Sequence, residues 1–168
     1  KDALPSAAKL VLNADDPLVA QIGLNRDGVC YYGAGNLPIS KTESTESREG
    51  RYCSRCGEEL TYKLFHYGQL GIYHCQKCNF KRPEPHIEAL EVRRTETGIA
   101  FQINGKPQDH EEEQEEKREY EISLQGYYNL YNALAAFSAA ECLGIDREHI
   151  FKGLSGFVSD AGRMEQFA

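Results

Sequence analysis

Cys53-Ser54-Arg55-Cys56 and Cys75-Gln76-Lys77-Cys78 are two C-x2-C pairs with eighteen residues between them. That spacing falls inside the window in which two thiolate pairs close on one tetrahedral zinc ion. Gly57 follows the first pair, where such a knuckle often needs a positive φ, and Asn79 holds the matching place after the second. Leu60–Tyr67 and Ile72–His74 alternate in polarity around Gly68-Gln69-Leu70-Gly71, so the pattern predicts strand, turn, strand. A β-ribbon of this size has too little apolar surface to fold alone, which gives a metal work to do. Four thiolates fill the coordination shell, so the expected site is structural, with His66 and His74 as bystanders.

A disulfide framework would need an oxidising compartment, and no stretch reads as a signal peptide. Six cysteines, four of them committed to metal, fit a reducing cytoplasm, with Cys30 and Cys142 as buried thiols. The chain starts at Lys1 and its one methionine is Met164, which reads as a piece of a longer protein. No apolar run approaches the ~18 residues of a membrane span. The net charge is −7, and the run from Gln108 to Glu121 holds eight acids against Lys117 and Arg118. Such a run reads as a solvated loop and argues against a nucleic-acid groove.

Outward from the ribbon, Lys9-Leu10-Val11-Leu12 and Val29-Cys30-Tyr31-Tyr32 read as short buried strands. Asp16 caps a helix that Pro17 begins and Gly23 closes, so the two strands should lie parallel across a βαβ crossover. Asp15 and Asp16 then fall at the carboxyl edge of the sheet, where open α/β sheets take ligands. Residues 34–50 are rich in Ser, Thr, Glu and Gly and read as a mobile tether. After the ribbon, Leu90 with Val92, Ile99 with Phe101 and Ile103, and Tyr120 with Ile122 and Leu124 mark three alternating segments. They predict a three-stranded antiparallel sheet with one apolar face. The helix expected over Tyr128–Leu143, ended by Gly144, would cover it, and a second helix follows from Asp146 to Gly156.

Asn129 and Asn132 lie at i and i+3 on the first turns of that helix, on one face. A carboxamide offers a donor and an acceptor together, the pattern of an adenine edge, although read locally the pair is more simply an N-cap asparagine and a surface one. Asn13-Ala14-Asp15-Asp16-Pro17, G-x-x-N-x-x-N-A-L-A-A from Gly126, Leu143-Gly144-Ile145 and Gly162-Arg163-Met164-Glu165 stand in this order. As an ordered set they resemble the central, ATP-binding domain of the Mur ligase family. The fold the resemblance implies is α/β, a partial central domain over residues 1–50 and 81–168 with a four-cysteine zinc-ribbon insertion at 51–80. With its ribbon the chain is similar to the branch that amidates the D-glutamate of lipid II to D-isoglutamine.

That resemblance implies an ATP-dependent carbon–nitrogen ligase subunit in peptidoglycan synthesis, acting at the inner face of the bacterial membrane. ATP with Mg2+ would activate the substrate carboxylate, and ammonia would come from a GatD-like glutaminase subunit in a heterodimer. It also implies that Asn129 and Asn132 stand on the adenine side and Arg163 near ribose or phosphates. Two departures matter. Tyr128 stands where many members carry histidine, and no G-x-x-x-x-G-K-[ST] phosphate loop is present, so this piece should be inactive alone. A zinc-ribbon adaptor for nucleic acid or protein is the alternative; Arg55, Lys63, Lys77, Lys81 and Arg82 beside Tyr62, Phe65 and Tyr73 are its basis. Those aromatics are expected to pack the ribbon instead.

Overall fold

The computed structural model describes residues 4–5, 7–45, 49–104 and 119–157. β1 (Leu10–Asn13) runs into α1 (Pro17–Ala20), followed by one 3-10 turn over Gln21–Gly23. Asp16 caps α1 by accepting from Leu18 N, and Pro17 opens it, as the local sequence required. β2 (Val29–Ala34) then pairs parallel to β1, Leu10 with Val29 through Asn13 with Tyr32.

The ribbon is β3 (Leu60–Tyr67) and β4 (Leu70–Cys75), antiparallel, with Gly68 at φ 53° in a turn shorter than the sequence suggested. β5 (Ile87–Arg94), β6 (Ile99–Asn104) and β7 (Glu119–Ile122) form the antiparallel set. The stretch between β6 and β7, with most of the acidic run, lies outside the described residues. The three strands do not stand apart from the parallel pair. β5 adds parallel to β2, which gives one mixed five-stranded sheet in the order β1-β2-β5-β6-β7.

Leu90 and Val92 were expected on one face, and the structure separates them. Glu91 takes φ 49°, and the β5–β6 register slips between Leu90 and Arg93. This bulge turns Val92 to the buried side with Ile87 and Ala89, while Leu90 is only half-buried. Period-two counting fails wherever one residue is added to a strand.

α2 (Tyr127–Cys142) and α3 (Arg147–Ser155) cover one face of the sheet. α2 lies over β1, β2 and β5, and α3 reaches β7. The single cover expected for the antiparallel strands is therefore shared by two helices. Leu130, Leu134 and Phe137 of α2 meet Ile99, Phe101 and Tyr120 in the main core. Gly144 ends α2 at φ 78°, and Asp146 caps α3 by accepting from Glu148 N and His149 N.

The ribbon packs on the opposite face. Leu12, Val29 and Tyr31 meet Leu60, Tyr62, Tyr73 and Phe80 there in a second core. Tyr62 and Phe65 stack at 4.3 Å between ring centroids, and Tyr73 is almost wholly buried, so these rings do pack the ribbon. The expected tether is partly anchored as well: Leu37 is 2% exposed, and Lys41 exchanges two backbone hydrogen bonds with Phe65. Its small polar residues hid those contacts, which come from β3.

Candidate functional site

Each C-x2-C pair sits on a turn whose backbone N–H groups point at sulfur. Cys53 accepts from Arg55 and Cys56, Cys56 from Glu58, and Cys75 from Lys77 and Cys78. Gly57 has φ 76° with open space around it, as the first knuckle demanded. Asn79 does not: among the described non-glycine residues only Asn25 and Glu91 have positive φ. The second knuckle closes instead through Cys75 N, which donates to Phe80 O at 2.7 Å.

The four sulfurs lie within 4.8 Å of one another, with Cys53–Cys78 at 3.6 Å and Cys56–Cys75 at 3.5 Å. All four thiols are free of disulfides. A tetrahedron with metal–sulfur bonds of ~2.3 Å has edges of roughly 3.8 Å, so the set fits a four-coordinate ion. Four thiolates suit a soft or borderline divalent metal and leave no open position. Burial alone would raise the Cys75 thiol, but the N–H groups of Cys78 and Lys77 outweigh it and bring it down to about 7. His66 and His74 stand outside the quartet. Cys30 is buried, and burial pushes its thiol up to about 12 beside Cys142. Cys142 is only half-buried, because it sits in the last turn of α2.

Asn129 and Asn132 come together on one face of α2. Asn129 Nδ2 donates to Gln125 O at 2.8 Å, and Asn132 Nδ2 reaches Asn129 Oδ1 at 3.4 Å. Asn132 is exposed, and its carbonyl oxygen has no partner among the described residues. Gly126 precedes the helix at φ 90° and gives no side-chain cap, so the first turn stays open. Arg163 lies outside the described residues.

Sequence reasoning placed Asp15 at the sheet edge but missed that it is a buried hub of hydrogen bonds. Asp15 is 0% exposed, and Arg82 Nε donates to its Oδ1 at 2.6 Å. Its Oδ2 accepts from Tyr131 Oη at 2.6 Å and Ala34 N at 2.8 Å. Arg82 Nη2 continues to Ala34 O and to Glu88 Oε1, both at 3.0 Å. Gly71 N of the ribbon donates to Asp15 O at 3.0 Å. His66 is buried beside the cluster, its Nδ1 bonded to Ser40 Oγ at 2.7 Å and its Nε2 3.9 Å from Asp15. Burial holds the His66 imidazole below its ordinary value, against the pull of Asp15, and burial next to Asp15 raises the Tyr131 phenol. Gly33 has to be glycine here, since a Cβ would stand 2.6 Å from Asp15 Oδ1 and 2.7 Å from Arg82 Nη2. One carboxylate thus joins β1, β2, the ribbon exit and α2. Asp16, by contrast, caps α1 and accepts from Gln69 Nε2 at 3.1 Å.

No family model matches the chain. Named relatives do. The chain is 37% identical over 95% of its length to the lipid II isoglutaminyl synthase (glutamine-hydrolyzing) subunit MurT of Staphylococcus aureus, and spans 33% of that protein. The MurT subunit of Streptococcus pneumoniae is 31% identical over the same share. Among solved structures, a pseudomurein peptide ligase type C from Methanothermus fervidus matches 94% of the chain at 39% identity and TM-score 0.76, over 29% of its own chain. A UDP-N-acetylmuramoylalanyl-D-glutamyl-2,6-diaminopimelate–D-alanyl-D-alanyl ligase from Acinetobacter baumannii matches at 18% identity and TM-score 0.51, a likeness of fold alone. The chain is thus similar to the MurT subunits along about one third of their length, and it has the fold of the matching part of the pseudomurein peptide ligase.

Proposed function

We propose that this chain is the central part of an ATP-dependent amide ligase subunit that converts the D-glutamate of lipid II to D-isoglutamine. What carries the reading is the 37% identity over 95% of the chain to subunits named for that synthase. In this reading residues 51–80 are a zinc ribbon set into a ligase domain made of 1–50 and 81–168. Zinc bound by Cys53, Cys56, Cys75 and Cys78 holds the ribbon, and no chemistry passes through it.

Bound ATP with Mg2+ supplies the phosphoryl group that activates a carboxylate. This chain's part is to hold the adenine with Asn129 and Asn132, and the ribose or phosphates with Arg163. The exposed carboxamide of Asn132 fits that role, since its acceptor is unclaimed among the described residues and the open turn of α2 lies beside it. Asn132→Tyr in the full-length protein should therefore weaken ATP binding by at least tenfold while metal content stays the same. Calorimetric titration with ATP checks this, and unaltered affinity removes α2 from the nucleotide site.

The source of nitrogen separates two readings. The chain is 39% identical to the solved pseudomurein peptide ligase and 37% to the Staphylococcus aureus subunit, and a ligase that adds an amino acid instead of ammonia is the competing reading. For an amidating subunit, mass spectrometry of lipid II should record loss of about one mass unit as –OH becomes –NH2. Glutamine should support this only with a glutaminase partner, and ammonium should support it without one. Glutamine-driven amidation by the subunit alone, or incorporation of a whole amino acid, would refute the two-subunit reading. The adaptor alternative gains nothing from the ribbon aromatics, which are consumed in packing.

A further inference from the structure

Charge is distributed unevenly along this chain. Residues 51–82 carry six lysines and arginines against two acids, while the remainder carries thirteen against twenty-four. Four thiolates and a divalent ion would remove two charges from that excess and leave it positive. Arg51 is spent on Glu59, and Arg82 on Asp15 and Glu88. Lys63 and Lys81 are exposed and, among the described residues, stand in no ion pair.

The ribbon brings these lysines to one face. Thr61 pairs with His74, and His74 bridges Lys81 on its other side. Directly paired residues present their side chains on the same side of a sheet, so Thr61, His74 and Lys81 form a row. Lys63, Ile72, His74 and Lys81 line one groove of about 930 Å3 between the ribbon and the five-stranded sheet. Its floor is apolar, with Ile72, Phe80 and Pro83, and Glu84 is the one acid on it outside any ion pair given above.

We infer that this face of the ribbon is the surface by which the protein lies on an anionic lipid bilayer. The inference rests on the proposed lipid-linked substrate, which has to be met at a membrane. A chain of net charge −7 is repelled by such a surface unless it turns a cationic face to it. The ribbon with its exit, residues 51–82, is the stretch with that sign, and two of its unpaired lysines, Lys63 and Lys81, flank an apolar floor that can receive the glycerol and first methylenes beneath a phosphate.

The test is sedimentation of the full-length, metal-loaded protein with phosphatidylcholine vesicles, with and without phosphatidylglycerol. Binding should require phosphatidylglycerol and weaken as salt is raised. Lys63→Gln with Lys81→Gln should reduce it by about thirtyfold, at roughly one lysine's worth of surface attraction each. Lys152→Gln on α3 should leave it unchanged. Metal content and circular dichroism establish that the variants are folded. If the double variant loses its metal, the single variants carry the test, each with a loss of about fivefold. Equal binding to neutral vesicles, no binding to anionic ones, or binding indifferent to both lysines would overturn the inference. So would tighter binding to an oligonucleotide than to vesicles. Amidation of a water-soluble substrate analogue, measured on the same variants, tells the two proposals apart. If it persists while the unsubstituted protein binds no anionic vesicle, only the bilayer surface falls.

Discussion

Stripping the metal from the full-length protein should melt the ribbon while leaving the helices on the other face standing. Structural zinc contributes on the order of 10 kcal/mol of apparent binding energy at neutral pH, more than any other single feature of this chain can supply. Cys75→Ser should have the same effect, because Cys75 is the last residue of β4 and the partner of Leu60 across the ribbon. Hydrogen exchange measured with and without chelator checks this. Amides of β3 and β4 should lose protection, and those of α2, which touches the ribbon through Tyr131 on Tyr67 but packs mainly on the five-stranded sheet, should retain most of theirs. Cys30→Ser should not change the metal content. Full protection of both ribbon strands after complete metal removal would sink the assignment of the staple.

The second large effect is expected at Asp15. Asp15→Asn keeps the size of the side chain and can still accept from Tyr131, but leaves Arg82 buried with only the more exposed Glu88 to balance it. Breaking a buried pair from one side costs about 3–5 kcal/mol, because the remaining charge is uncompensated. Asp16→Ala next door removes only an N-cap and an amide contact and should cost about 1 kcal/mol. Denaturant unfolding of the two variants gives the comparison. Equal losses would mean that the buried carboxylate contributes no more than a surface cap.

The contrast between those two aspartates also marks where sequence was enough. Asp16 was readable because its partner is two residues away and Pro17 fixes the helix start. The four cysteines were readable because metal geometry imposes spacing, and α2 and α3 because Gly144, Asp146 and Gly156 punctuate them. Asp15 was not readable, since its partners lie 19, 67 and 116 residues away and no local pattern announces them. The union of the two strand sets into one sheet was missed for the same reason: β2 meets β5 across the whole ribbon. The side-chain order of β5 was missed because Glu91 adopts a conformation that glutamate seldom takes. The asparagines of α2 were visible as a pair, but only resemblance gave them a role.

The placement of the ribbon between β2 and β5 has a kinetic consequence. Parallel neighbours must be joined by a crossover, and here the whole segment between Ala34 and Ile87 is that crossover. The pairing of Tyr32 with Ile87 therefore closes a long loop before any of its hydrogen bonds can form. A metal held by the four cysteines would tie Cys53 to Cys78 inside that loop, shortening the free chain and lowering the entropy lost on closure. Such an ion would act on the order of folding: a ribbon that forms first would deliver β5 to the edge of β2, and the antiparallel strands would then be added to the sheet.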